Sequence, residues 1–305
     1  MRKLGLILVE GLTRLLALLP LRVHYALSGI LCFIAGDVLK YRRKVILENL
    51  EASFPDKSPE EIKKIMKGFY RHFADIFAEA VWFGGSESGR LHRQHICEAV
   101  NPEVINEAFA NSPSVMVLTS HNGNWELRGG IFSYNYDENN PFLFGPNNLG
   151  IVYKKLKNEV WDEFFKRNRL HCIRKYRCDG FVESSEILRY ALQHKNDKKV
   201  YVFSTDQYPY KGAAQIKVDD FLHQETYSMA GGSALARKLG MSVVFMGARQ
   251  ERRGCYKIHY VEICRDASKL TNEEIMNEYY RLLQKDIEAC PTLYLWSHRR
   301  WKNLR

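Results

Sequence analysis

The chain has 305 residues, of which 46% are apolar and 26% charged. That is ordinary globular composition, enough for one large core or two modest domains. Lys and Arg exceed Asp and Glu by 45 − 35 = +10, a balance that fits an acidic partner, whether nucleic acid, an anionic membrane or an acidic carrier protein. The seven cysteines are odd in number and none is spaced C-x-x-C; they read as scattered reduced thiols, and no close Cys/His cluster has zinc-ligand spacing.

Residues 4–19 (LGLILVEGLTRLLALL) carry only Glu10 and Arg14 as charges, and a second apolar stretch, 23–39, follows Pro20. The second is interrupted by His24 and Asp37 and closed by Lys40, Arg42, Arg43 and Lys44. Neither is a clean run of about 20 apolar residues, as a spanning helix needs. A cleaved signal peptide fits poorly, because Arg14 breaks the apolar region and no clear small-x-small site follows. Basic residues at both ends carry the sign expected of the cytoplasmic side. Residues 1–44 are therefore expected to form a membrane-anchoring helical segment, a shallow hairpin or one helix plus an interfacial helix. The alternative is two core helices of a soluble fold.

A helix is predicted over 58–83. Ser58 is a good N-cap, Pro59 falls at N1 and Glu61 completes a capping box. Ile62, Ile65, Met66, Phe69, Tyr70, Phe73, Ile76, Phe77, Ala80 and Val81 recur at steps of three and four, which is one helical face. Gly84 and Gly85 end it. Val115–Leu118, Val200–Phe203 and Val243–Met246 are short, continuous β-prone runs, each running into polar residues and suited to strands buried on both faces. Helices are expected at 155–168, 181–195, 226–239 and 272–288, with another strand from Tyr256 to Ile263. This alternation predicts an α/β fold, a mostly parallel central sheet flanked by helices, in a single domain over 45–305. Ligands of such sheets bind beyond the carboxyl ends of the strands, where His121, Asp206 and Arg249 fall.

The sharpest local feature is Ser120-His121-Asn122-Gly123-Asn124-Trp125-Glu126. A histidine at a strand end is well placed as a general base, and a carboxylate on its other ring nitrogen fixes the tautomer. Glu126 is expected to be that carboxylate, brought round by a turn at Gly123 and Asn124. The pair would take a proton from a hydroxyl, and the alkoxide would attack a thioester carbonyl. The backbone amides of Asn122, Gly123 and Asn124 are candidates for holding the oxyanion. The alternative is that His121 and Asn124 are turn and cap residues only.

His-x4-Glu is a variant of the H-x4-D/E signature of glycerolipid acyltransferases, and its context resembles the lipid A late acyltransferases, which move lauroyl or myristoyl groups from acyl carrier protein. Arg43 to Pro55 (RKVILENLEASFP) resembles that family's R-x-x-V-x-x-N-L-x-x-x-F-P block. Gly150 to Asn158 (GIVYKKLKN) resembles its V-Y-R-x-x-x-N block, and Asp206-Gln207 its D-Q/D-H block. Phe221, Thr226 and Gly231 to Ala236 resemble the stretch after it, and Tyr294 to Lys302 its Y-x-W-x-H-R-R-F/W-K ending. The resemblance runs in order over residues 40–302. It implies an acyltransferase that takes its chain from acyl carrier protein or CoA, with no cofactor. The acceptor implied is a hydroxyacyl chain of a phosphorylated lipid A precursor, at the cytoplasmic face of an inner membrane. The sequence departs from the family twice. Lys154 replaces an arginine, losing the bidentate fork, so that Arg167 or Arg169 takes more of the phosphate role. A longer stretch, around Tyr134 to Pro146, separates Glu126 from Tyr153 and borders the site. These departures keep open another acceptor: a lysophospholipid, an ornithine lipid or a polyene pigment.

The substrate-binding candidates are Asn124, Lys154, Arg169, Asp206 and Arg249. For Asp206 the alternative is a loop cap, and for Arg249 a structural salt bridge. Arg299, Arg300, Lys302 and Arg305 read as a solvated basic face that also suits a carrier protein or lipid headgroups. The basic residues are dispersed, with no stacking motif or recognition helix, which argues against nucleic acid. No phosphate-cradling glycine loop or metal-ligand cluster stands out.

Overall fold

The computed structural model describes residues 2–176, 180–211, 213 and 215–301. It opens with helices α1 (Arg2–Ala17) and α2 (Leu21–Phe33), the latter extended by a π-helical turn, Ile34–Val38. Next come α3 (Arg43–Ser53), α4 (Pro59–Phe83), α5 (Ser88–Gln94), β1 (Cys97–Ala99), α6 (Pro102–Asn111) and β2 (Val115–Thr119). A 3-10 segment, Trp125–Ser133, precedes β3 (Leu149–Tyr153), α7 (Glu159–Arg169), β4 (Phe181–Glu183), α8 (Ile187–Gln193) and β5 (Val200–Ser204). The chain continues through β6 (Gln215–Phe221), β7 (Gln224–Met229), α9 (Gly231–Lys238), β8 (Ser242–Arg252), β9 (Cys255–Cys264) and α10 (Asn272–Ala289).

Seven strands form one sheet in the order β1-β9-β8-β2-β5-β3-β4, while β6 and β7 make a separate antiparallel hairpin. Every pairing in the large sheet is parallel except β8 with β9. Central strands covered on both faces need apolar side chains at every position, and β2 is buried throughout. Met116, Leu118, Tyr201, Phe203, Val243 and Phe245 face one core, with Tyr279 and Leu283 of α10 and Leu50 of α3. Val115, Val117, Val200, Val244 and Met246 face the other, with Ile105 of α6 and Ile131 of the 3-10 segment. Helix α4 has the expected capping box, with Ser58 Oγ accepting from the Glu61 amide and the Glu61 carboxylate from the Ser58 amide. Its stripe gives Ile62, Met66 and Phe69 to the first core and Trp82 and Phe83 to the second. The six described cysteines are free.

The N-terminal pair is built inside out. Ile7, Leu8, Leu12 and Leu15 of α1, and Leu27, Ile30, Phe33 and Val38 of α2 and its extension, are exposed. The polar groups of α2 point inward instead. Ser28 hydroxyl donates to Asp75 of α4, and Tyr25 hydroxyl donates to Glu79 of α4 at 2.7 Å. Arg253, in the β8–β9 turn, closes the cluster, donating from Nε to Asp75 at 2.8 Å and from Nη2 to Ser28 Oγ at 3.0 Å. The stretch Leu21–Val38 is long and apolar enough to cross a membrane by length and composition, and only 22% of it is buried. A helix packed inside a core would be mostly buried, and this one is not.

Two predicted helices start too early. Residues 181–195 begin with β4, whose Phe181 and Val182 pair with Ile151 and Val152 of β3. Residues 226–239 begin inside β7, and their helix starts only at Gly231. In both, a ladder partner overrides local helical pattern, β3 for β4 and the neighbouring strand β6 of the hairpin for β7.

The Asp75 cluster predicts a stability cost. Replacing Asp75 by Ala strands the Arg253 guanidinium and the Ser28 hydroxyl, and should destabilise the detergent-solubilised chain by about 2–3 kcal/mol in denaturant unfolding. An unchanged midpoint would mean that α2 is not held by this cluster.

Candidate active site

Register decides which side chains meet. Strands β2 and β5 pair in parallel with Thr119 opposite Ser204, and the Thr205 amide still donates to the Thr119 carbonyl at 3.1 Å. His121 and Asp206 are each two residues past those paired ends, so they emerge side by side. The Asp206 carboxylate takes two hydrogen bonds from His121, at 2.8 Å from Nδ1 and 3.0 Å from the backbone amide. Asp206 is 2% exposed. Burial would raise its carboxyl, but the His121 ring and amide outweigh burial and hold it below its ordinary value. An imidazole bonded through Nδ1 to a carboxylate keeps its proton there and presents the Nε2 lone pair. The side-chain amide of Gln207 is 3.5 Å from that Nε2, and the Trp125 ring meets the imidazole edge-on at 5.0 Å.

The expected His121–Glu126 pairing is corrected here: the carboxylate on the imidazole is Asp206. Glu126 turns to the end of α7, where Arg169 grips it with a fork, at 2.8 Å from Nε and 2.6 Å from Nη2. The cause is the turn itself. Gly123 takes a left-handed φ of +76°, and a side chain there would also lie 2.9 Å from the Ala248 methyl. Asn122 then binds the Ala248 carbonyl at 3.0 Å and bridges to Tyr294. Asn124 caps the following 3-10 segment, its Oδ1 accepting from the Glu126 amide at 3.0 Å. The four intervening residues thus carry Glu126 away from the ring, whereas a neighbouring strand delivers Asp206 to it.

The turn is committed to the scaffold. The Asn122 amide donates to Ser120 Oγ and the Gly123 amide to the Leu293 carbonyl, so these two are not the oxyanion donors expected from sequence. The Asn124 side chain is also occupied at both ends, its Nδ2 donating to Glu79 at 2.7 Å. Glu79 accepts further from Tyr25 at 2.7 Å and Tyr256 at 2.9 Å.

A cavity of about 1230 Å³ opens over the Nε2 side of His121. Its inner wall is apolar, with Ile105, Val117, Ile131, Phe144, Leu149 and Val200. Its rim is cationic. Lys154, Lys155, Lys157, Lys166 and Arg169 stand on one side, and Arg42, His298 and Arg299 also line it. Lys154 Nζ rests 3.8 Å from the centre of the Tyr210 ring. Arg167 turns outward instead, to Glu163 and Glu10. The long stretch before Tyr153 does border the cavity, through Phe144.

Two lining residues were not singled out from sequence. Gln207 was noted only as part of a motif. Arg128 is half-buried, donating to the Ser120 carbonyl and, at 3.4 Å, to Ser204 Oγ. Burial lowers its guanidinium to about 10, which leaves it charged at neutral pH. The available signal was a lone arginine between Leu127 and Gly129-Gly130-Ile131.

Arg249 is not among the lining residues. Strand β8 continues past Met246 to Arg252, which puts Arg249 opposite Lys257 within the ladder, and its Nε is bound to the buried Asp286 at 3.0 Å. Arg300 is also not on a solvated face: it is 1% exposed and donates to the Tyr227 carbonyl and the Tyr280 hydroxyl. Lys302 and Arg305 lie outside the described residues. The first and last sequence blocks meet, with Asn49 Nδ2 donating to the carbonyls of Trp296 and His298 at 2.8 and 2.9 Å. Trp296 and Trp301 are core residues.

Comparison with known proteins identifies the family. A family model described as bacterial lipid A biosynthesis acyltransferase matches residues 1–303. The chain is 22% identical over 285 residues to the lipid A biosynthesis palmitoleoyltransferase of Escherichia coli (strain K12), covering 90% of this chain and 85% of that protein. It shows the same identity and coverage with the lipid A biosynthesis acyltransferase of Shigella flexneri. The chain belongs to the bacterial lipid A biosynthesis acyltransferase family, and it is an acyltransferase of lipid A synthesis.

Glu79, beneath the turn after His121, gives a pH prediction. Burial raises its carboxyl to about 7, against the three hydrogen bonds that lower it, with Asp75 adding to the rise. The folded chain therefore binds an extra proton between the ordinary value of 4.5 and about 7, and this group's contribution to stability falls as pH rises through that window. Glu79→Gln removes the titration. Its unfolding temperature relative to wild type should rise between roughly pH 5 and pH 8, and a pH-independent difference would contradict the assignment.

Proposed function

We propose that the protein transfers a fatty acyl chain from acyl carrier protein, or from CoA, to a hydroxyl of a hydroxyacyl chain on lipid A or its precursor. The observation that carries this reading is an imidazole, oriented through Nδ1 by a buried carboxylate, that lines a cavity apolar within and cationic at its rim. Such a cavity suits substrates with long alkyl chains and phosphate groups. The outward apolar residues of α1 and α2, followed by Lys40, Arg42, Arg43 and Lys44, support a chain embedded through residues 1–44 in the cytoplasmic face of the inner membrane. Residues 45–305 then form the catalytic domain.

In this reading His121 Nε2 takes the proton of the acceptor hydroxyl as its oxygen attacks the thioester carbonyl. Asp206 holds the ring and stabilises the imidazolium. The negative charge gathers on the carbonyl oxygen, where the Gln207 amide and the Arg128 cation are the donors we assign. Collapse of the intermediate forms the ester and breaks the carbon–sulfur bond. The departing thiolate takes the proton back from Nε2 and leaves as a thiol. Glu126 orients Arg169, which with Lys154 receives the donor's phosphate. Asn124 acts by holding the turn.

Lipid A mass spectrometry of a deletion strain complemented with each variant tests the reading. Wild type should restore one acyl chain, whose mass gives its length, while His121→Ala at equal membrane level should not. In the purified reaction Asp206→Asn should lower kcat by about 10³-fold or more, and Glu126→Gln should act mainly on the donor KM. The reverse ranking would return the partner role to Glu126. Identical lipid A in all strains would move the acceptor to another lipid.

A further inference from the structure

We propose that Arg42, His298 and Arg299 form a second anion subsite, which takes a phosphate monoester of the acceptor glycolipid and leaves the lysine rim to the donor. The inference rests on the acyltransfer reading above and adds where the acceptor's headgroup lies.

The placement comes from the topology. Lys154 to Lys157 follow β3, which flanks β5, while Lys166 and Arg169 are on α7. The C-terminal segment docks on the other side of the catalytic strands, where Tyr294 bridges to Asn122, whose side chain reaches Ala248 of β8. His121 and Asp206, above β2 and β5, therefore stand between two cationic groups lining one cavity. Two anionic substrates approaching one base need such an arrangement, since a single cluster would set their phosphates in competition.

The second group is held in place but not neutralised. Arg42 Nη1 donates to the Ser297 carbonyl at 2.9 Å, and Asn49 fixes the carbonyls on either side of Ser297. Among the described residues, no carboxylate lies within ion-pair distance of Arg42 or Arg299. His298 Nδ1 is buried without a hydrogen-bond partner. Burial, outweighing the pull of Asp206 and joined by the neighbouring Arg300, His121 and Arg42 side chains, lowers the His298 imidazole to about 4. A neutral imidazole between two guanidinium groups offers one N–H to an anion, while the arginines supply the charge. An uncompensated positive cluster is stabilised by binding one.

The location also favours a lipid's phosphate. Arg42 follows closely on Val38 and Leu39, which are 58% and 69% exposed and end the outward apolar surface. A glycolipid with its chains in the bilayer would present its phosphate at that level. The apolar wall carrying Leu149 and Ile151 belongs to β3, on the lysine side, so the donor's chain and phosphate share that half of the cavity.

The test uses the full chain in vesicles and two kinds of acceptor, a bisphosphorylated lipid A precursor and the same lipid lacking either one of its phosphates. Arg299→Ala and His298→Asn, each with a near wild-type unfolding temperature, should raise acceptor KM about tenfold and leave donor KM unchanged. Lys154→Ala should do the opposite. For one of the two phosphates, its removal should raise the wild-type KM by a similar factor and scarcely change that of the variants. Independent, multiplicative losses for either phosphate, or a raised donor KM in Arg299→Ala, would overturn the subsite. If wild type acylates neither acceptor, the functional reading fails, and the subsite with it.

Discussion

The in-register parallel pairing of β2 with β5 is the constraint on which the site depends. Thr119 opposite Ser204 fixes the two strand ends at one level, and each strand then needs only two more residues to deliver its functional group. A slip of one residue would turn either side chain to the other face. The pairing is strongly specified because both strands are buried on two sides, Met116 and Tyr201 filling one core and Val117 and Val200 the other. The geometry of the His121–Asp206 pair is thus inherited from core packing, and a tightly packed core shifts little under thermal motion.

A second constraint runs from α2 inward. The helix turns its apolar residues out and binds the rest of the fold through Ser28 and Tyr25. Glu79 receives Tyr25 on one side and Asn124 on the other, so the outermost apolar helix and the turn after His121 share one buried carboxylate. Such an arrangement retains a buried charge that costs stability on its own. What it provides is orientation: the Asn124 amide has a single satisfied pose, and that pose caps the segment carrying Glu126 and Arg128.

Local signals made much of this legible in the sequence. The Ser58 capping box and the long apolar stripe located α4, and the β-branched runs located β2, β5 and β8. His121 was legible because a histidine at the end of a buried strand has few structural reasons to be there. Its partner was read wrongly because spacing along the chain is visible in a sequence and strand register is not. Glu126 is five residues away and Asp206 eighty-five, yet the ladder makes the distant one adjacent. Arg249 failed for a related reason: β8 runs on to Arg252, so the assumed strand end was mid-strand. Strands β1 and β4, three residues each, are too short to show a period and exist only through their ladder partners. The meeting of Asn49 with the Trp296 to His298 turn was invisible for the same reason, although both blocks stood out separately.

The charge balance takes on meaning once placed. A surplus of +10 spread evenly would bind any polyanion, and composition alone left nucleic acid open. The fold concentrates part of it around the mouth of one cavity whose interior is hydrocarbon-like, a combination that an extended polyanion cannot use and an amphiphile can. Selection between amphiphiles must then come from inside. Phe144, from the stretch before β3, is part of the cavity wall and packs with Phe109, Phe132 and Phe142 in tilted and edge-on contacts. Rigid aromatic packing of this kind resists adjustment to an extra methylene. Under the proposed function, the rim would set which class of lipid enters, while the segment around Phe144 would help to shape the space left for its tail.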